Sequence, residues 1–274
     1  MTRALLAAVV LLGGPAAAAP PSPGVDWTAG VVRVLGVGTP RILSPTGSLL
    51  ERDAVELARE DAFARLGARP LARIAGLGLL NRSLIAVHMT ELNDAEIEHC
   101  ARAGVSVVHC PESNLKLASG FCPVAKLQAA GVNVALGTDG CASNNDLDMF
   151  GEMRTAALLA KGVAGDARAV DAPTALRMAT LNGARALGWE ERIGSIEPGK
   201  WADLTAVDLD PIETQPVYHV VSQLVYAANR RQVSDVWIAG ERRLVQGEVA
   251  GMDMAALRAN AQRWARLIAA PEPQ

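Results

Sequence analysis

The sequence predicts an α/β protein in which short parallel strands alternate with helices, followed by a small β subdomain. Three observations carry that prediction. Apolar, β-branched runs recur between amphipathic segments from Arg69 to Gly137, the pattern of parallel strands joined by crossover helices with both sheet faces covered. Each run ends in a polar element, at His88, at His109 and at Thr138-Asp139-Gly140, as at the carboxyl ends of strands in βα-barrels. Beyond Leu187 the texture changes to β-rich runs broken by turns such as Pro198-Gly199.

Taken in order, residues 1–19 read as a secretory signal peptide. Arg3 supplies the positive start, Leu5 to Leu12 the apolar stretch and Ala17-Ala18-Ala19 a small-residue cleavage site. The alternative is an alanine-rich N-terminus from a GC-rich genome. The apolar stretch is shorter than the about 20 residues of a membrane span, and no later segment is a candidate for one. Residues 20–68 form a separate N-terminal segment. It has a strand or hairpin at Val25 to Gly38 and a helix at Arg52 to Leu66, with Gly67 as its C-cap.

Residues 69–186 hold the alternating unit. A helix at Pro70 to Gly76 leads to a buried strand at Leu84 to His88. A helix at Asp94 to Ala103, with Asp94 as N-cap, leads to a strand at Val105 to His109. A third helix at Pro123 to Ala130 leads to Val132 to Gly137. Helices at Leu147 to Lys161, closed by Gly162, and at Pro173 to Leu187, capped by Asp171, complete the unit. Residues 187–274 form the β subdomain. Its strands are expected at Ala202 to Asp208, Val217 to Val225, Val233 to Ala239 and Arg242 to Val245, before a terminal helix at Met252 to Ala269.

The 274 residues are 50% hydrophobic, 20% charged and 4% aromatic, with a formal net charge of -3. That balance excludes a disordered chain. The absence of any Lys/Arg-rich run argues against a nucleic-acid partner. Cys100, Cys110, Cys122 and Cys141 have no C-x-x-C spacing, so neither a disulfide scaffold nor a structural zinc site is indicated.

His88, His109 and Asp139 end successive strands and should face one mouth. An imidazole and a carboxylate there can hold a divalent metal or move a proton. The plainer alternative for each histidine is a buried ring bonded to a backbone carbonyl. His99 and His219 lack this placement and read as surface or structural residues.

The run Ala86-Val87-His88-Met89-Thr90, the run from His109-Cys110-Pro111-Glu112-Ser113-Asn114 to Gly120, Gly137-Thr138-Asp139-Gly140 and Ser143-Asn144-Asn145-Asp146 closely resemble the amidohydrolase superfamily. Within it they are most similar to 5'-methylthioadenosine/S-adenosylhomocysteine deaminases and their chlorohydrolase-like relatives. Ala179 to Ala184 and Gly194 to Leu204 extend the resemblance, which covers about Arg69 to Val249.

The resemblance implies part of a distorted (β/α)8 barrel, strands 6 to 8, and one divalent metal, zinc or iron. The implied reaction is hydrolytic deamination of a small-molecule aminopurine. His88 matches the strand-6 histidine and Asp139 the strand-8 aspartate; both are catalytic by that match, and Asp139 is also a metal ligand. His109, Ser113 and Asn114 fall in the strand-7 motif and are candidates for substrate binding.

The family's site also uses a His-x-His pair on strand 1 and a strand-5 histidine with a glutamate three residues on. No histidine precedes His88. One carboxylate and one imidazole do not complete a catalytic site with three protein ligands. Pro70 to Ala186 is under half of the about 250 residues of a full barrel, so the outer strands should present open edges. The expectation is a deaminase fragment impaired as a lone chain. The alternative is an exported, non-catalytic protein that keeps a degenerate barrel fragment. A homo-oligomer or a complementing chain could supply the rest. Location follows the signal peptide, exported or periplasmic if it is used and cytoplasmic, as in the resembled family, if it is not.

Overall fold

The computed structural model describes residues 67–269. The expected signal peptide, the Val25 to Gly38 strand and the Arg52 to Leu66 helix lie outside them. The first unit is a three-stranded parallel sheet in the order β1-β2-β3, formed by Ile85–Val87, Ser106–His109 and Asn133–Leu136. Its register pairs Val87 with Val108 and His109 with Leu136. The sequence placed all three strands and their parallel direction.

The helices between them are α1 (Pro70–Gly76), α2 (Asp94–Ala103), α3 (Pro111–Lys116) and α4 (Val124–Ala129). The N-cap of α2 is Asn93 rather than Asp94. Its side chain accepts from the Glu96 N–H while Glu96 reaches back to the Asn93 N–H, a reciprocal capping box. Glu96 also binds Arg69 at 2.7 Å, tying the start of the described chain to α2.

After β3 come α5 (Met149–Ala164), α6 (Ala172–Ala179) and α7 (Leu181–Ala186). Asp148 caps α5 through the Phe150 N–H at 2.9 Å. The helix runs through Gly162 and stops at Gly165, whose φ of 64° is the left-handed conformation that ends helices. The expected helix Pro173 to Leu187 is two helices, because Thr180 turns out of helical geometry and folds its hydroxyl onto the Leu176 carbonyl at 2.7 Å.

One core joins the sheet to these helices. Phe150, Met153, Ala156 and Ala157 of α5 and Ala175 and Met178 of α6 are buried in it. The small residues let α5 and α6 approach the sheet closely, as native packing density requires. β1 is less covered than expected: Val87 is exposed, since this strand has a single neighbour. The opposite edge, β3, is partly closed by α7. Asn182 Nδ2 donates to the Val134 carbonyl at 2.8 Å, and Asn133 Nδ2 donates to the Asn182 carbonyl at 3.0 Å.

The second unit is a four-stranded antiparallel sheet, β4-β5-β6-β7, formed by Leu204–Val207, Val233–Ile238, Glu241–Val245 and Glu248–Val249. The expected strand Val217 to Val225 is instead largely helix α8 (Val220–Tyr226). Its buried Leu224 and Val225 join the main core, so packing overrides the β-branched preference of Val220 and Val221. The last described element is α9 (Met254–Ala269). Among the described residues, no helix is long and apolar enough to cross a membrane.

Candidate active site

Two residues that matter most sit in unusual backbone. His88 follows the last residue of β1 with φ of 69°, and Asp139 lies beyond β3 with φ of 62°. A non-glycine residue in the left-handed region costs about 1–3 kcal/mol, and such strain is concentrated at functional sites. The result is a close approach of the two side chains. His88 Nε2 stands 3.7 Å from Asp139 Oδ2, with the imidazole 39% and the carboxylate side chain 26% exposed. Both groups are therefore reachable from solvent at the carboxyl end of the sheet.

Each is held from behind. Asp139 Oδ2 accepts from Ser113 Oγ at 2.8 Å and from Ser143 Oγ at 2.6 Å. Burial pushes the Asp139 carboxyl up, but the Ser143, Ser113 and Gly140 hydrogen bonds and the nearby His88 outweigh it, and the group stays below the usual carboxylate range. Asp139 is thus a pre-ionised acceptor at neutral pH. His88 Nδ1 meets Asn114 Oδ1 at 2.8 Å. Ser113 and Asn114 reach these positions because α3 starts directly after β2, with Pro111 in its first turn fixing the helical φ.

His109, the last residue of β2, is 1% exposed. Burial and the neighbouring His88 press its imidazole down to about 4, so the ring is neutral. Its Nδ1 and the Asn114 Nδ2 are buried without a hydrogen-bond partner among the described residues. The expected shared mouth is therefore formed by His88 and Asp139, with His109, Ser113 and Asn114 as the wall behind them. His99 and His219 are exposed on the surface.

Sequence reasoning missed the support under this wall. Ser143 follows Asp139 by four residues, in a turn closed by its own N–H on the Gly140 carbonyl at 3.2 Å. Next to it, Asn144 Nδ2 donates to Glu152 Oε1 at 2.7 Å and approaches Glu112 Oε2 at 3.3 Å, while Thr155 donates to Glu112 Oε1 at 3.0 Å. Glu152 is fully buried. Burial, with the Glu112 charge adding to it, drives its carboxyl up to about 8 despite hydrogen bonds from the Glu112 N–H and Asn144. Lys116 fastens the same loop through the Ala142 carbonyl at 2.7 Å and Asn145 Oδ1 at 2.8 Å. The only sequence signal for this network was the polar run Ser143-Asn144-Asn145-Asp146.

For a divalent metal the described residues offer Asp139 and, beside it, His88. No group of three or more His, Cys, Asp or Glu side chains that could share an ion exists among the described residues. They do not by themselves make up a catalytic metal site, which takes three protein ligands.

The chain matches the Amidohydrolase family over residues 46–243, a range that starts inside the expected N-terminal segment. It is 51% identical over 205 residues to a 5-methylthioadenosine/S-adenosylhomocysteine deaminase of Teredinibacter turnerae, covering 75% of this chain and 46% of that protein. Identity is 53% over 194 residues to the protein of the same name in Moorella thermoacetica, covering 71% of this chain and 45% of the relative. The chain spans about half the length of the curated relatives it matches.

Among solved structures, an adenosine deaminase from Xanthomonas campestris with bound zinc superposes with a TM-score of 0.76 at 67% identity, covering 77% of this chain and 48% of that one. An atrazine chlorohydrolase from Arthrobacter aurescens complexed with zinc gives 0.71 at 25% identity, covering 76% and 46%. The family match spans well over half of the sequence and contains every strand-end residue described above, so the chain belongs to the amidohydrolase family.

Proposed function

We propose that this chain carries the strand-6 to strand-8 part of a metal-dependent hydrolytic deaminase acting on aminopurine nucleosides. The observation that supports this most is the placement of His88 and Asp139, 3.7 Å apart on left-handed turns at the strand ends. The deaminase names of the relatives supply the reaction and the substrate class. Hydrolytic deamination replaces an exocyclic C–N bond by C–O from water and releases ammonia. Asp139, held ionised by two serine hydroxyls, takes the proton of the attacking water. His88 faces the same space and orients the attacking water. His109, Ser113 and Asn114, all buried, form the wall behind that pair and shape the substrate space through it.

Residues 67–269 alone are impaired on this reading, because among the described residues Asp139 and His88 fall short of three metal ligands. A bound divalent ion would lower the pKa of its water toward neutrality; here it would need ligands beyond Asp139 and His88. If residues 1–19 act as a signal peptide, the protein is exported.

Co-expression with the N-terminal half of the Xanthomonas relative tests the reading. An assembled pair that releases ammonia from adenosine or 5'-methylthioadenosine, and loses that activity on Asp139→Asn, supports it. An assembled, metal-loaded pair that turns over neither nucleoside contradicts it.

A further inference from the structure

We infer that Asn114 is a positioning residue that fixes the tautomer of His88, placing the ring proton on Nδ1 and leaving Nε2 bare toward the mouth. The argument starts from what surrounds each ring nitrogen. On the inner side, Asn114 Oδ1 lies 2.8 Å from Nδ1, a full hydrogen-bond distance. An amide oxygen only accepts, so the ring nitrogen facing it must carry the hydrogen. On the outer side, Nε2 is 3.7 Å from Asp139 Oδ2, too far for a hydrogen bond, and that oxygen already accepts from Ser113 and Ser143. Two hydroxyl donors occupy the lone pairs that Nε2–H would otherwise use. Among the described residues, no hydrogen bond on the outer side therefore competes for the ring proton.

The anchor is also rigid. Asn114 is 1% exposed, and its backbone is held in α3 by its N–H on the Cys110 carbonyl at 3.0 Å, so its side-chain amide turns in a closely packed space. The imidazole it holds is 39% exposed, so the bare Nε2 is the atom presented to an incoming water or nucleoside. Which nitrogen of a histidine is protonated is set by the hydrogen bond made by the other one. Here a buried neutral amide does what a carboxylate or backbone carbonyl does in many sites, without adding charge beside Asp139. In the proposed deaminase, Nε2 then enters as an acceptor for a water or ligand proton rather than as a donor.

The inference rests on His88 being the reacting imidazole, but its test needs no turnover, so its failure and that of the deaminase reading are distinguishable. The full chain, labelled with nitrogen-15 in histidine, is measured by long-range proton–nitrogen correlation about two pH units above the ordinary imidazole pKa. The expected result is a His88 ring with Nδ1 protonated and Nε2 bare. In Asn114→Leu, of similar volume but with no acceptor, the ratio of Nδ1–H to Nε2–H falls by about fivefold or more. In Asn114→Asp, which keeps an acceptor in place, the wild-type tautomer persists. A wild-type ring protonated on Nε2 overturns the inference, since Asn114 would then present its NH2 group. So does an Asn114→Asp chain whose His88 ring carries its only proton on Nε2. If Asn114→Leu does not fold, the wild-type and aspartate measurements decide alone.

Discussion

Replacing the buried Glu152 by glutamine should flatten the stability of the protein above neutral pH. In the folded chain this carboxyl is raised from 4.5 to about 8. It is therefore protonated when folded and ionised when unfolded across that interval. The stability tied to its raised pKa is fully present below pH 4.5 and is lost as pH rises to about 8. The slope is about 1.4 kcal/mol per pH unit, so from about pH 6.5 to about pH 8 the wild type should lose at most about 2 kcal/mol.

Glu152→Gln keeps the acceptor for Asn144 but turns an NH2 group toward the Glu112 N–H, which Glu152 Oε2 meets at 3.3 Å. That exchange costs about 1 kcal/mol at low pH. The two stability curves should therefore cross within about one pH unit above 4.5, and the gap in favour of Glu152→Gln should go on widening between about pH 6.5 and about pH 8. Urea unfolding at half-unit steps of pH reads both curves. Parallel curves over that window would refute the reasoning, because Glu152 would then titrate alike in the folded and unfolded chains.

His109 predicts the opposite slope at lower pH. Its imidazole falls from 6.5 to about 4 on folding, so its share of stability is full above 6.5 and is lost as pH falls toward 4. His109→Phe should remove that acid-side decline in the same titration. Asn182→Ala leaves the Val134 carbonyl at the β3 edge without its side-chain donor and should cost about 1–3 kcal/mol, read by urea unfolding. A Cβ at Gly137 would lie 2.9 Å from Val108 Cγ1 and 3.4 Å from Cys110 Sγ. Gly137→Ala should therefore destabilise the chain by about 1–3 kcal/mol, read by thermal unfolding.

The parallel sheet was legible because its strands are short apolar runs, each bounded by helix caps and ending in a polar residue. Register followed as well, since His88, His109 and Asp139 emerge at one end. What stayed hidden depends on tertiary contacts. The valines of α8 carry a strand signal, and only the burial of Leu224 and Val225 in the main core explains the helix. Helix α3 is six residues long, too short for a periodic pattern, yet it delivers Ser113 and Asn114. The left-handed residues at these turns are His88 and Asp139 themselves rather than glycines, so the sequence does not mark their backbone. Glu152, in the first turn of α5, looks like a solvent-facing helix residue until Asn144 and Glu112 are placed beside it.

The central claim is that the described residues bring a poised Asp139 and His88 to one mouth without a third metal ligand among them. The direct measurement is metal content and ammonia release on the purified chain after incubation with zinc and dialysis. Less than stoichiometric zinc and no ammonia from adenosine or 5'-methylthioadenosine is the predicted result. One tightly held zinc per chain, with turnover abolished by Asp139→Asn, would contradict it.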